Sequence, residues 1–255
     1  MKHEIKPLVP VKTEGLEETA RALLEGKPEN TPDSETSVEN REDYWTISGV
    51  NYRNNICTVD LSKSLIDNGS SKNQQQWADY RSNATSSNGF YTGDMPLYHA
   101  VFSALFKQKD TNFRQTAEEA RAFIQKQMRE EYPMTLTRIA YQPKGKDKII
   151  HNFGTNEKYE LEENIVGPNR EIIASDKKVL TAVLGSDDIN EIKAVYTWIN
   201  KTPTWIWRVN SKPANIDERV ARFDAGSGRA GLYCGSYPGD TFASLGVRIR
   251  REAPR

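Results

Sequence analysis

From Arg219 to Ile249 the chain reads RVARFDAGSGRAGLYCGSYPGDTFASLGVRI. The two ends of this stretch carry the apolar residues expected of packed structural elements. Its middle is rich in Gly, Ser and Asp, with aromatic residues between them, a composition that favours turns. The stretch therefore predicts a structural frame at each end and a turn-rich segment held between them.

The composition of the whole chain limits the classes of protein to consider. The chain has 255 residues, of which 36% are hydrophobic, enough for one large domain or two small ones with a buried core. Its 35 basic and 35 acidic residues give a net charge of zero, so neither nucleic acid nor an anionic lipid surface is implied as a partner. No run approaches the length of about 18 apolar residues that a membrane span needs. We expect a soluble chain with no signal peptide, in a compartment that the sequence does not indicate.

The distribution of polar residues divides the chain into an extension and a globular part. Residues 1–42 are polar and are predicted to form an N-terminal extension. Aromatic and β-branched residues gather from Tyr44 to Val50 and predict the first strand of a domain that spans residues 43–255. From Asn68 to Gly93 the chain is dense in Ser, Asn, Gln and Gly, and there we expect a long loop.

Hydrophobic periodicity predicts the remaining elements. Apolar residues at spacings of three and four predict helices over residues 96–106, 112–131 and 187–200. Two alternating runs, 135–141 and 148–153, flank a Gly-containing turn and predict a hairpin. A short helical stretch is expected near residues 216–222. Because helices and hairpins follow one another without regular strand–helix alternation, the pattern favours an α+β fold.

Motifs that carry chemistry are scarce. No P-loop, zinc-protease or hydrolase motif is present, and no GxGxxG follows a predicted strand. His99 and His151 lie in an apolar helix and in a strand, where we expect structural roles rather than a metal or a catalytic base. Trp205 and Trp207 are two residues apart and so face the same side of a strand, where we expect core packing, with a stacking platform as the alternative. The sequence thus indicates no catalytic residue, no metal site and no cofactor.

The cysteines and the paired acids also have simple interpretations. Cys57 and Cys234 are the only cysteines, too few for a disulfide framework or a four-ligand zinc site, although one disulfide between them stays open. Asp187 and Asp188 lie at the start of a predicted helix, and we expect them to cap its first turn rather than form a catalytic pair.

The two ends of the C-terminal stretch resemble a known pattern. The opening Arg219-Val220-Ala221-Arg222 and the closing Leu245-Gly246-Val247-Arg248 resemble the last strands of the C-type lectin-like fold. This is the form found in formylglycine-generating-enzyme-type domains and in the variable proteins of diversity-generating retroelements. The resemblance covers about thirty residues and implies a twisted antiparallel sheet with two packed helices, here those near 97–107 and 113–131, and long loop insertions.

The retroelement family makes a compositional prediction. Its variable codons derive from adenine-bearing template codons that end in a pyrimidine, so Lys, Glu, Gln, Met and Trp cannot appear at diversified positions. These five types make up 56 of the 255 residues but none of the 21 from Asp224 to Ser244. Independent draws would give such a gap with a probability on the order of half a per cent. A turn-rich end of an ordinary sheet is the competing explanation.

The resemblance implies a binding function for residues 224–244. Rigid aromatic contacts would come from this segment together with adaptable hydrogen-bonding groups, as in antibody loops. The predicted ligand-binding residues are Asp224, Gly226, Ser227, Arg229, Tyr233, Ser236, Tyr237, Asp240, Thr241 and Phe242. The expected function is recognition of a protein or glycan through a hypervariable surface, without catalysis.

Two alternatives remain from other functional classes. One is an enzyme of the formylglycine-generating type that uses Cys234, although this cysteine lacks the nearby second cysteine of that family. The carbohydrate-binding tripeptides of lectins proper, Glu-Pro-Asn and Trp-Asn-Asp, are also missing. The other alternative is a structural or assembly protein of a virus or mobile element, with the N-terminal extension as its docking part.

Overall fold

The computed structural model describes residues 36–208 and 212–250. Most of the predicted N-terminal extension, residues 1–35, therefore lies outside the described residues. The strands are β1 (Val38–Asn40), β2 (Tyr44–Tyr52), β3 (Asn55–Leu65), β4 (Met134–Tyr141), β5 (Asp147–His151), β6 (Tyr159–Glu163), β7 (Thr204–Trp207), β8 (Asp217–Ala225), β9 (Ala230–Ser236) and β10 (Leu245–Ile249). The α-helices are α1 (Gln74–Ser86), α2 (Met95–Lys107), α3 (Arg114–Glu130), α4 (Lys177–Leu184) and α5 (Ile189–Asn200).

The strands form two sheets. The smaller sheet has the order β1-β2-β3-β10, and all of its pairs are antiparallel. β1 falls within residues 1–42, and its pairing with β2 places residues 38–40 in this sheet. At the other side of the sheet, Val247 of β10 lies opposite Leu61 of β3. The last described strand is therefore held by the first long hairpin.

The larger sheet positions the C-terminal segment. Its order is β6-β5-β4-β8-β9-β7, antiparallel throughout except that β7 runs parallel to β9. β8 and β9 form a hairpin that lies between β4 and the edge strand β7. The chain is thus a mixed α+β protein, as the sequence predicts.

Helix α2 lies in the core and packs against the buried side of this hairpin. Asp94 caps the helix, since its side chain accepts a hydrogen bond from the Leu97 amide at 2.9 Å. Two buried aromatic side chains of α2, Tyr98 and Phe102, pack against Phe223 of β8 with ring centroids 5.6 and 5.2 Å apart. The inner face of β8 is therefore fixed by aromatic packing on α2.

Several predicted elements are confirmed. Helices occupy the three predicted ranges, and β4 and β5 form the predicted hairpin. Asp188 caps α5 by accepting from the Glu191 amide at 2.9 Å, as expected. Strong apolar periodicity made these elements predictable.

Two predictions of local structure are wrong, and one helix was missed. The expected loop at 68–93 contains helix α1, which its polar sequence did not predict. The helix is stabilised by a capping box of Asn73 and Gln76 and by the fully buried Trp77. Residues 217–225 form strand β8 rather than a short helix, because pairing with β4 and β9 overrides local propensity. Helix α4 was not predicted at all.

Candidate functional site

Three strands present one face of the larger sheet to solvent. Arg222 of β8, Tyr233 of β9 and Trp207 of β7 lie in register, and side chains opposite each other in a sheet share a face. The next row on this face contains Asp224, Gly231 and Trp205. The alternate residues Phe223, Leu232 and Ile206 point the other way and are buried in the core. We call the exposed side of β7, β8 and β9, with the side chains that pack on it, the outer face.

The two tryptophans of β7 lie on this outer face. They share a side, as their spacing predicts, but the expectation that they pack in the core is wrong: Trp205 is 38% exposed and Trp207 is half-buried. Ile206 between them makes the core contact. Alternation along a strand shows which residues share a face, but it does not show which face is turned inward.

A glycine of the outer face allows β7 and β9 to pack closely. Gly231 lies between Trp205 and Asp224, and a Cβ at this position would overlap the carbonyl oxygen of Trp205. Only glycine therefore allows β7 to approach β9 this closely. The lining of a shallow hollow at this point includes the two tryptophans of β7, Tyr233 and Arg229.

Arg222 organises the aromatic residues of the outer face. Its guanidinium carbon lies 4.5 Å from the ring centroid of Tyr233, 4.8 Å from that of Phe242 and 5.0 Å from that of Tyr132. These distances suit cation–π contacts. Two residues that are far apart in sequence, Tyr132 and Phe242, are thus gathered with Tyr233 around one cation.

Polar groups fix the position of the Arg222 side chain. Its Nε donates to Ser236 Oγ at 2.9 Å, and its Nη1 lies 3.7 Å from Asp224 Oδ2. Burial lowers the pKa of Arg222, and the charge of Asp224 acts in the opposite direction. Ser236 is itself buried, so its hydroxyl supports Arg222 from within the sheet.

The turn after β9 displays the most exposed aromatic residue of the segment. Tyr237 is 60% exposed, and its ring centroid lies 3.7 Å from the guanidinium carbon of Arg219. Asp240 closes the turn, because its Oδ2 accepts from the Tyr237 amide at 2.8 Å and its own amide donates to the Tyr237 carbonyl at 3.0 Å. The carboxylate of Asp240 is therefore committed to local structure.

The tip of the β8–β9 hairpin is held from beneath by Asn200, the last residue of α5. The Gly226 amide donates to the Arg229 carbonyl at 2.8 Å and closes the tip. Asn200 Nδ2 donates to the carbonyls of Gly226 and Arg229 at 3.0 and 3.1 Å. The side chains of Ser227 and Arg229 remain exposed above this anchor.

Helix α1 anchors the end of the segment. Trp77 Nε1 donates to the Phe242 carbonyl at 2.9 Å, and the backbones of Lys72 and Phe242 exchange two hydrogen bonds. The ring of Phe242 is half-buried, whereas Thr241 beside it is exposed.

The ten predicted ligand-binding residues thus fall into three groups. Exposed are Ser227, Arg229, Tyr237 and Thr241; half-buried are Asp224, Gly226, Tyr233, Asp240 and Phe242; buried is Ser236. Sequence reasoning did not select Arg222 or Tyr132. Alternation with the apolar Phe223 would have indicated Arg222 had residues 217–225 been assigned as a strand. No sequence signal linked Tyr132 to this surface.

The cysteines do not form a reactive site. Cys57 and Cys234 are both free, so the disulfide left open by the sequence is not formed. Cys234 is fully buried, and burial raises the pKa of its thiol to about 12. A nucleophilic cysteine requires the opposite shift.

The histidines differ from each other. His151 is bonded through both ring nitrogens, to Thr137 Oγ1 and to the Ala182 carbonyl, each at 2.9 Å, as a structural histidine should be. His99 Nδ1 is buried without a hydrogen-bond partner. Within residues 36–208 and 212–250 no group of three or more His, Cys, Asp or Glu side chains is arranged to hold a metal ion.

Comparison of the chain with protein-family models, with curated proteins and with solved structures finds no match. None of the helices in the described part of the chain has the length and apolar character needed to cross a membrane.

Proposed function

We propose that this chain is a ligand-binding protein whose segment 224–244 displays exchangeable contact residues on a C-type lectin-like scaffold. It would act like the variable protein of a diversity-generating retroelement, with no catalytic step. The ligand would be a protein or a glycan.

The way in which the segment is anchored carries this proposal. Three side chains outside the segment hold it through backbone carbonyls: Asn200 at the hairpin tip, Trp77 at Phe242, and Tyr141, whose hydroxyl donates to the Cys234 carbonyl at 2.9 Å. A bond to a backbone carbonyl survives a change of the side chain on that residue. Such a frame tolerates substitution at the exposed positions.

The chemistry of the outer face fits a recognition surface. Tyr237 and Trp205 offer exposed aromatic area, and Arg222 with Asp224 offers a charged pair beside Tyr233. Tyr, Trp and Arg are the residue types that dominate binding energy in interfaces. The hollow at Gly231 is shallow, which suits an extended macromolecular partner better than an enclosed small molecule.

The architecture supports the scaffold part of the proposal. α2 and α3, near the two predicted ranges, both contact strands, α2 on β2 and α3 on β8. The last described strand, β10, returns to pair with β3 of the first long hairpin. Segment 224–244 therefore begins in β8 of the larger sheet and leads directly into β10 of the smaller sheet.

The enzyme alternative through Cys234 finds no support in its surroundings. A buried thiol with a raised pKa lacks both thiolate character and access. We therefore propose binding rather than catalysis for the C-terminal segment.

The proposal is tested by sequencing the DNA that flanks the gene. We expect a near-copy of the codons for residues 224–244, differing at adenines, beside a reverse-transcriptase gene. The codons for residues 134–154, a segment of equal length in the same sheet, serve as the control and should have no such copy. Flanking DNA with no template copy, or a copy that differs equally at all four bases, would contradict the proposal.

A further inference from the structure

A second cleft lies elsewhere in the fold and shares no lining residue with the outer face. It has a volume of about 480 Å³ and is bounded by helix α2, the end of α4, the turn between β2 and β3, and strands β5 and β6. Pockets of roughly 300–1,000 Å³ are typical of small-molecule sites. The volume alone therefore permits a ligand of modest size.

Helix α2 presents a polar stripe to this cleft. His99, Ser103 and Lys107 all line it, and their spacing of four residues places them on one face of the helix. Between them lie Ala100 and Ala104, whose small side chains leave the space open. A polar stripe on an otherwise apolar helix needs partners.

Two groups of this stripe have no partner among residues 36–208 and 212–250. His99 is 3% exposed and its Nδ1 makes no hydrogen bond; Ser103 is 8% exposed and its Oγ makes none. Buried polar atoms are nearly always hydrogen-bonded, and an unsatisfied one destabilises the fold. Two such groups one helical turn apart, on residues that both line the same cleft, indicate that the structure lacks a partner for them.

The protonation state of His99 defines what that partner offers. Burial, with a smaller effect of the Lys107 charge, lowers the pKa of His99 to about 4. The ring, which stacks on Tyr196 at 5.8 Å between centroids, is therefore neutral near pH 7 and carries one donor and one acceptor nitrogen. A hydroxyl group, which both donates and accepts, complements the neutral imidazole and the Ser103 hydroxyl.

The residues that line the cleft carry more positive than negative charge. Lys107 lies 3.5 Å from Glu191, which leaves Arg53 as the additional positive charge. The guanidinium carbon of Arg53 lies 4.4 Å from the ring centroid of Tyr159, another lining residue. Guanidinium groups favour carboxylate and phosphate partners.

We propose that this cleft binds a small organic anion that carries hydroxyl groups. A hydroxyl of the ligand bonds with His99 and Ser103, and its carboxylate or phosphate lies near Arg53 and Lys107. The site is independent of the outer face and of the function proposed for it.

The proposal is tested by calorimetric titration of the full chain with three probes: glycerate, glycerol 3-phosphate and uncharged glycerol. We expect saturable binding of at least one anion and at least tenfold weaker binding of glycerol. The stronger anion identifies the carboxylate or the phosphate as the natural group.

Substitutions then locate the binding site. Ser103→Ala removes an unpartnered hydroxyl, so the melting temperature of the free protein should stay unchanged or rise. Its affinity for the anion should fall about tenfold, because one hydrogen bond to the ligand is lost. Arg53→Gln should weaken the anions but not glycerol. Trp205→Ala on the outer face is the control and should bind as the unmodified chain does. Absence of anion binding, or full affinity in Ser103→Ala, would overturn the proposal.

Discussion

Replacing Asn200 by alanine should loosen the tip of the β8–β9 hairpin. The Asn200 amide donates to the carbonyls of Gly226 and Arg229, and its oxygen accepts from Arg129 Nε at 2.7 Å. The substitution would remove two neutral hydrogen bonds, each worth about 1 kcal/mol, and one charged hydrogen bond worth about 2 kcal/mol. The higher helix propensity of alanine would offset a small part of this loss of stability. We expect a loss of about 3 kcal/mol in the free energy of unfolding.

The assay combines urea unfolding with hydrogen exchange. The amide of Gly226, which closes the tip, should exchange about 100-fold faster if the lost energy appears as local opening. Asn169→Ala, at an exposed asparagine, is the control and should stay within about 0.5 kcal/mol. If Asn200→Ala changed neither the unfolding energy nor this exchange rate, the reasoning that the frame holds the segment from outside would be refuted.

Three further outcomes follow from the contacts and pKa shifts. Gly231→Ala should destabilise the fold by about 3 kcal/mol or more in urea titrations, because the new methyl group meets the Trp205 carbonyl. Gly228→Ala, which has open space around it, is the control. If both substitutions lowered the unfolding free energy equally, the clash with Trp205 would be excluded. Cys234 should resist thiol reagents at pH 8 until the protein unfolds, and rapid labelling of native protein would show that the thiol is accessible. His99 has a folded pKa of about 4 against about 6.5 unfolded, so stability present above pH 6.5 should fall by about 3 kcal/mol as the pH drops to 4. His99→Phe should remove this loss of stability between pH 6.5 and 4. If the variant's unfolding free energy changed with pH as that of the unmodified chain does, His99 would not be the group responsible.

The sequence predicted the elements that carry a strong apolar period. Helix α2 and the β4–β5 hairpin follow directly from spacing and turn residues. Helix α1 did not, because its one large buried apolar side chain, Trp77, stands among polar residues and its support comes from the chain at Phe242, 165 residues away. Strand β8 was mistaken for a helix for a similar reason, since one of its two pairing partners, β4, is distant in sequence.

The candidate site was predictable in part. Turn composition indicated where the exposed residues of segment 224–244 lie, and Tyr237 is the clearest example. The gathering of Tyr132 and Phe242 around Arg222 depends on register between β8 and β9 and on the end of α3, neither of which local patterns determine. The outward direction of Trp205 depends on which side of the sheet α5 covers.

The central claim is that segment 224–244 is an exchangeable contact surface held by an unvarying frame. Sequencing this gene from many isolates tests it most directly. We expect substitutions to concentrate at the exposed positions Ser227, Arg229, Tyr237 and Thr241, while Asn200 and the other anchoring residues stay the same. Substitutions spread evenly along the chain, or as frequent in the buried frame as at those four positions, would contradict it.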